Sequence, residues 1–182
     1  MAAARHIVLL RGINLGSRNR VSMPQLRKVL TEAGFEDVRT YLQSGNVVLT
    51  SKASPERVAR TCEQHIADAV GLDVDVVVRT RDELAKVVRR DPLGKVATDP
   101  KRYQVSFLSE KLEPAVVRKL REAAVEPEQL VVSGREVYAW HPGGVARSKL
   151  WTQLAGRGLG VTATSRNWTT VTSLLELADG TS

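Results

Sequence analysis

The sequence has one cysteine, few aromatic residues and no long apolar run, and each shortage excludes a class of protein. A lone Cys62 cannot form an intrachain disulfide or a multi-cysteine metal site, and it predicts a reducing, cytoplasmic location. No segment approaches the roughly 20 apolar residues that cross a bilayer, and the N-terminus lacks the apolar core of a secretory signal. Aromatic residues make up 4% of the chain, which argues against an extensive surface for stacking single-stranded bases.

Acidic residues are missing from two long segments, and the positive charge is concentrated there. The chain has a formal net charge of +7. Residues 1–30 carry +6 and residues 137–175 carry +4, with no Asp or Glu in either segment, so the rest of the chain carries −3. A genome rich in arginine codons would not by itself remove acids from two windows. The distribution predicts an anionic partner.

Apolar periodicity and turn residues predict the order β-α-β-β-α-β for the first 80 positions. The predicted elements are a strand at 6–10, a helix capped by Ser22, a hairpin of strands at 37–43 and 46–51, a helix opened by Pro55 and a strand at 74–80. Cys62 falls on the apolar face of the second helix, so we interpret it as a core residue.

The second half of the chain repeats this order. Its predicted elements are a strand at 103–108, a helix opened by Pro114, a hairpin through Ser133 and Gly134, a helix capped by Ser148, a strand at 160–164 and a helix capped by Asn167. We therefore predict an α+β fold of two tandem ferredoxin-like halves, residues 1–80 and 101–182, the second ending in a C-terminal helix. Residues 81–100 form a connector that begins as a helix and ends as a loop.

The two halves predict an internal duplication that differs in one connection. The Ser44-Gly45 turn of the first half corresponds to Ser133-Gly134 of the second. Between the first strand and the first helix, however, the first half has "RGINLGSRNRVS" and the second only "SEKLEP". A strand-to-helix connection needs only a handful of residues. The longer loop is therefore predicted to serve function rather than chain closure.

The chemistry of this loop is suited to an anion. Gly12 and Gly16 let the backbone approach a ligand closely, and the following helix start favours negative charge. The side chains that we expect to bind the ligand are Arg11, Arg18 and Arg20, which donate to phosphate or carboxylate, and Asn14 and Asn19, which orient it. The loop matches neither a Walker A motif nor G-x-G-x-x-G. The alternative is a loop whose arginines are solvated or paired with acids elsewhere.

The second basic segment repeats part of this pattern. Ser165-Arg166-Asn167 has the same residues as Ser17-Arg18-Asn19, and both precede a predicted helix, so the two are predicted to converge on one anion. Ser148 and Lys149 follow a Gly-Gly turn at a third such helix start. Trp168 is either a core residue or a platform for a base.

Signals for catalysis are sparse. The three histidines lack metal-ligand spacing, there is no G-x-S-x-G elbow, and the carboxylates lie outside the basic segments, so we predict no metal site and no cofactor. The segment "TYLQSGN" collects hydrogen-bonding side chains at a hairpin tip, among them Gln43, Ser44 and Asn46. These residues are equally typical of a tight turn.

Three segments resemble a bacterial family of unknown function, numbered 1697. They are "LLRGINLGSRNRVSMPQLRKVL", "GFEDVRTYLQSGNVVL" and "ARSKLWTQLAGRGLGVTATSRNWTTVTSLLELA". Members commonly have Gly-Gly-Lys-Asn after the R-G-I-N motif, where this chain has Gly16-Ser17-Arg18-Asn19. The resemblance implies a pair of ferredoxin-like α+β units and no established activity.

The leading hypothesis is a cytoplasmic protein that binds a phosphate-bearing ligand, either nucleic acid or a nucleotide. The residues predicted to bind it are Arg11, Gly12, Asn14, Arg18, Asn19, Arg20, Gln43, Ser44, Asn46, Ser148, Lys149, Arg166, Asn167 and Trp168. The alternatives are an enzyme acting on a small phosphorylated or carboxylated metabolite and a module that binds an acidic protein. No membrane partner is predicted.

Overall fold

A computed structural model describes residues 2–180 of the protein as a mixed α+β fold with two four-stranded antiparallel sheets and six helices. The chain divides into two compact units, residues 1–85 with 173–182 and residues 86–172. None of the described helices is long and apolar enough to span a bilayer.

The first unit has the predicted order of strands and helices. Its elements are β1 (Ala4–Leu10), α1 (Met23–Glu32), β2 (Glu36–Tyr41), β3 (Asn46–Ser51), α2 (Pro55–Val70) and β4 (Val76–Thr80). Its sheet has the order β2-β3-β1-β4, and every neighbouring pair is antiparallel. α3 (Arg81–Arg90) follows, so the helix predicted at the start of the connector is confirmed.

Amphipathic helices cover one face of this first sheet. Leu26 and Leu30 of α1 and Val58, Cys62 and Ile66 of α2 are buried in a single apolar cluster with side chains of the strands. Their spacing of three or four residues puts them on one side of each helix. The prediction that Cys62 is a core residue is confirmed.

The second unit repeats the element order and the sheet order of the first. Its elements are β5 (Tyr103–Leu108), α4 (Pro114–Ala123), β6 (Gln129–Ser133), β7 (Glu136–Trp140), α5 (Lys149–Ala155), β8 (Ala163–Asn167) and the start of α6 (Trp168–Asp179). The sheet has the order β6-β7-β5-β8 and is antiparallel throughout.

The prediction of a strand at 160–164 is wrong by three residues. Gly160 has a φ of +76° and keeps the preceding segment in turns, so pairing with β5 begins only at Ala163 and continues to Asn167. Arg166 therefore lies inside a strand, opposite Val105, and not in a loop before the last helix.

Candidate anion-binding site

The first loop, residues 11–22, is folded back on itself between β1 and α1. The backbone N–H of Asn14 donates to the carbonyl of Asn19 at 3.0 Å, and the Asn19 side chain donates to the carbonyl of Gly12 at 3.2 Å. Asn14 and Asn19 have φ angles of +53° and +49°, a left-handed conformation that asparagine tolerates better than most residues. The two asparagines therefore shape the loop.

The side chain of Asn14 also ties the loop to the β2–β3 hairpin. Its Nδ2 donates to the carbonyl of Val21 at 2.9 Å and to the carbonyl of Gln43 at 2.7 Å, while its Oδ1 accepts from the Val21 N–H at 2.9 Å. Both amide hydrogens are thus used inside the protein. Asn14 positions the loop and has no N–H left to orient a ligand.

The hairpin tip packs closely against the beginning of the loop. The N–H of Leu10 donates to the carbonyl of Gly45 at 2.9 Å. A Cβ on Gly45 would lie 2.8 Å from Cβ of Leu10 and 2.9 Å from Cδ1 of Ile13, and the φ of Gly45 is +83°. Only glycine fits both the conformation and the contact. The two motifs singled out from the sequence therefore meet in space.

The polar side chains of the hairpin tip are partly engaged within the turn. Asn46 is fully buried, and its Nδ2 donates to the carbonyl of Tyr41 at 3.0 Å and to Oγ of Ser44 at 2.9 Å. These bonds are the turn chemistry that was the alternative interpretation. Gln43 accepts the hydrogen bond from Asn14 with its backbone carbonyl, and its side chain is exposed.

The arginines of the first basic segment differ in their partners. Arg5 forms an ion pair with Asp37 at 2.8 Å, and Arg11 is half-buried. Arg18 and Arg20 are exposed, and within residues 2–180 neither guanidinium forms an ion pair. Lys28 is also exposed but lies 3.9 Å from the carboxylate of Glu32, so among the described residues the exposed cations of the segment without an ion pair are those in the middle of the loop.

A cavity of about 520 Å³ opens where the loop meets the hairpin. Its lining residues are Asn14, Arg20, Val21, Ser22 and Gln43. This set contains one cation and several hydrogen-bonding groups, but no carboxylate, imidazole, thiol or amine side chain. The cavity is equipped to bind a polar anion, and it has no evident group for proton transfer.

The start of α1 offers this cavity fewer unpaired backbone N–H groups than an uncapped helix end would. Oγ of Ser22 accepts the N–H of Gln25 at 3.2 Å, and the carbonyl of Ser22 accepts the N–H of Leu26 at 2.9 Å. Pro24 has no N–H. Among the described residues this leaves Met23 as the first-turn backbone donor without a partner.

The Ser-Arg-Asn segment of the second unit has a different environment. The Arg166 side chain is buried in β8 and donates to Oγ1 of Thr164 at 2.7 Å and to the carbonyl of Ser165 at 2.9 Å. Burial lowers the pKa of Arg166 to about 10. Asn167 caps α6, as predicted, by accepting the N–H of Thr170 at 2.9 Å. Arg166 is therefore buried, whereas Arg18 is exposed.

Two other residues of the second basic segment also have structural partners. The ring of Trp168 stacks on Tyr103, with centroids 4.7 Å apart and an interplanar angle of 19°. One face of the indole is therefore occupied within the protein. Oγ of Ser148 accepts the N–H of Trp151 and caps α5, whereas Lys149 is exposed at the first position of that helix.

The described residues contain no group of three or more His, Cys, Asp or Glu side chains able to hold a metal ion.

Burial lowers the pKa of His6, and the nearby charge of Glu83 opposes part of this effect. Burial raises the pKa of Cys62 to about 12, and the charge of Glu63 adds to the increase. The thiol is therefore neutral and unsuited to nucleophilic chemistry.

The family model described as a protein of unknown function, DUF1697, matches residues 3–138. The chain belongs to the DUF1697 family. The match includes the first loop and the hairpin, and the third resembling segment, near the C-terminus, lies outside it. The chain is also similar in structure to the conserved bacterial protein SP0830 from Streptococcus pneumoniae. The TM-score is 0.80 at 23% sequence identity, over 97% of this chain and 99% of that one. No curated protein sequence matches significantly.

This DUF1697 protein also contains a buried polar cluster that sequence reasoning missed. Oε2 of Glu128 accepts from Oγ of Ser148 and lies 2.7 Å from Nδ1 of His141, and Ser148 Oγ is 3.2 Å from that same nitrogen. Serine and carboxylate share one imidazole nitrogen, whereas a serine hydrolase places them on opposite nitrogens. The cluster is therefore not a hydrolytic triad. Glu128 and His141 are 13 residues apart and His141 and Ser148 are 7 apart, and these spacings match no known sequence motif that would have predicted the cluster.

Proposed function

We propose that this protein binds a phosphate-bearing ligand, nucleic acid or a nucleotide, at the cavity between the first loop and the β2–β3 hairpin. The observation that carries the proposal is the state of Arg18 and Arg20, which are exposed and lack an ion pair among the described residues. Guanidinium groups donate in a fork that matches phosphate oxygens. Arg20 lines the cavity, and Arg18 lies two residues before it.

The loop that carries these arginines exceeds what its fold position needs. We infer that the two units are ferredoxin-like and arose by duplication, which their identical element and sheet orders support. In that comparison the second unit closes the same connection with five residues, 109–113. The added residues of the first loop then serve the ligand. A cytoplasmic location fits a chain with a single reduced thiol.

Binding is favoured over catalysis by the residues that line the cavity. General acid–base chemistry needs a side chain that can take up or release a proton within hydrogen-bond reach of the reacting atom. The charged side chain of the lining is Arg20, whose guanidinium only donates hydrogen bonds. Enzymatic action on a small phosphorylated or carboxylated metabolite remains the second candidate, because about 520 Å³ is within the range of small-molecule sites.

Fluorescence anisotropy with a labelled 12-nucleotide strand tests the proposal. The double variant Arg18→Ala/Arg20→Ala is compared with Arg118→Ala/Arg121→Ala, which removes the same charge from exposed positions of α4. We expect the first variant to lose affinity and to reduce the slope of log K against log salt by about 0.7 for each phosphate of a single strand that it no longer binds. The control keeps the wild-type slope.

Two results would overturn the proposal. Equal losses in both double variants would show that only the net charge matters. Affinity that does not change between low and high salt would show that phosphate is not the group that binds. Saturable binding of a sugar phosphate, without binding of nucleotides or oligonucleotides, would favour the small-metabolite candidate.

A further inference from the structure

Two large apolar side chains are exposed beside the candidate site. Leu15 in the first loop is 66% exposed and Leu42 at the hairpin tip is 57% exposed. Each is next in sequence to a residue of the contact between Asn14 and Gln43, whose Nδ2 and carbonyl oxygen are 2.7 Å apart. The two leucines are therefore the chain neighbours of Asn14 and Gln43, which both line the cavity.

The backbone of Leu42 makes this exposure unusual. Its φ is +58°, a left-handed conformation that is rare for a bulky residue and that glycine or asparagine adopts more easily. An exposed leucine also gains no burial there. Folding alone therefore does not favour leucine at this position, and backbone strain of this kind occurs at ligand sites.

Resting on the proposed function above, we propose that Leu42 and Leu15 contact the face of an unpaired base in a nucleic-acid strand whose phosphates bind Arg18 and Arg20. Apolar side chains, leucine among them, pack against unstacked bases in nucleic-acid complexes. In a duplex such a contact requires a base step to be unstacked first, at a cost of a few kcal/mol, whereas the bases of a single strand or a loop are already unstacked, so these contacts favour a single strand or a loop. A contact at one nucleotide is compatible with the low aromatic content of the chain.

The polar groups around the two leucines fit a nucleotide better than other anionic partners. The exposed amide of Gln43 offers both a donor and an acceptor, as the edge of a base requires, whereas a carboxylate only accepts. The cavity of about 520 Å³ is concave, and a flat anionic bilayer would leave it unfilled.

Anisotropy with a 12-nucleotide single strand and with a duplex of the same sequence tests the inference. Leu42→Asn suits the left-handed backbone and removes the apolar contact. We expect it to weaken single-strand binding about fivefold, because a base no longer buries part of the apolar leucine side chain, and to leave duplex binding and the salt slope unchanged. Leu15→Asn should act in the same direction. Val125→Asn, at another exposed apolar position, should have no effect.

The outcomes separate this inference from the proposed function. If Leu42→Asn and Leu15→Asn bind the single strand like the wild type while Arg18→Ala/Arg20→Ala does not bind, the base contact is wrong and phosphate binding stands. If the arginine variant also binds normally, both fail. Loss of binding to phosphatidylserine vesicles by the leucine variants, without any preference for single strands, would overturn the inference in favour of a membrane surface.

The urea midpoint of Leu42→Asn should equal or exceed that of the wild type. A lower midpoint would mean that Leu42 is kept for folding and would overturn the argument from strain.

Discussion

Oε2 of Glu128 lies 2.7 Å from Nδ1 of His141, whose side chain is completely buried. The hydroxyl of Ser148 donates to the same carboxylate oxygen and in turn accepts the N–H of Trp151. The cluster thus joins the segment before β6, the end of β7 and the start of α5. The Glu128 side chain keeps 13% of its surface exposed, and because a largely desolvated carboxylate is costly without partners, these hydrogen bonds compensate for the water contacts that it loses.

Glu128→Gln is expected to destabilise the protein by about 1–3 kcal/mol, the usual cost of disturbing a buried, charge-assisted hydrogen bond. Glutamine has nearly the same shape, so the loss would come from charge and hydrogen bonding, not from a cavity. Urea unfolding at pH 7 measures the change. Glu122→Gln, at an exposed position of α4, removes the same charge and should change stability by less than about 0.5 kcal/mol. Equal effects of the two substitutions would contradict a role for the cluster.

The contribution of Glu128 should depend on pH in a definite direction. Burial alone would raise the pKa of Glu128, but the hydrogen bonds from Ser148 and His141 and the charge of His141 outweigh it, so the pKa lies below its ordinary value of 4.5. As pH falls, the unfolded chain binds the proton first. The stabilisation is therefore complete above pH 4.5 and is lost as pH falls through the folded pKa. The stability gap between the wild type and Glu128→Gln should narrow below pH 4.5 in urea titrations, and a constant gap down to pH 3 would disprove the linkage.

The two hairpin glycines allow the packing of the first loop to be measured. Gly45 and Gly134 both have positive φ angles, +83° and +58°, but only at Gly45 would an added β-methyl group meet other atoms within 4 Å, those of Leu10 and Ile13. Gly134→Ala should cost about 1–2 kcal/mol for the left-handed backbone. Gly45→Ala should cost about 1–3 kcal/mol more, because the added methyl overpacks the site. Chemical denaturation gives both values, and equal costs would show that the contact with Leu10 and Ile13 relaxes freely.

The order of elements could be predicted from the sequence because apolar spacing and caps are local signals. Ser22 and Asn167 cap their helices as predicted, and Pro55 and Pro114 open α2 and α4. The boundary of β8 was wrong because pairing with β5, a long-range interaction, decides where the strand begins. A short apolar run cannot show which of its residues find partners.

The candidate site could be predicted only in part. Composition located the basic loop, and the comparison of the two predicted halves led to the prediction that the loop is longer than the fold needs. The partners of individual side chains were not predictable, because they lie far apart in sequence: Asn14 binds the carbonyl of Gln43, and Glu128 binds His141 and Ser148. For the same reason Arg18 and Arg166, identical in local sequence, differ completely in burial.

Cys62 should not react with thiol reagents in the folded protein. Its side chain is completely buried in α2, and burial raises the pKa of the thiol to about 12, so the reactive thiolate is scarce at pH 8. We expect negligible labelling by Ellman's reagent under native conditions and one thiol per chain in 6 M guanidinium chloride. Rapid native labelling would mean that the core around α2 opens easily, and it would contradict the burial of this residue.

The two asparagines that shape the first loop differ in the number of hydrogen bonds that their side-chain amides donate: two from Asn14 and one from Asn19. Asn14→Asp keeps a residue that tolerates positive φ but removes both amide donors, and it places a carboxylate oxygen against the carbonyl of Val21 or Gln43. It should cost about 1–3 kcal/mol. Asn19→Asp introduces the same charge in the same loop and loses one exposed bond to Gly12, so it should cost less than about 1 kcal/mol. Both variants add the same charge beside Arg18 and Arg20. If Asn14→Asp binds an oligonucleotide more weakly than Asn19→Asp does, the difference is therefore due to the changed geometry of the loop. Equal losses of stability and of binding would show that the hydrogen bond between loop and hairpin does not position the arginines.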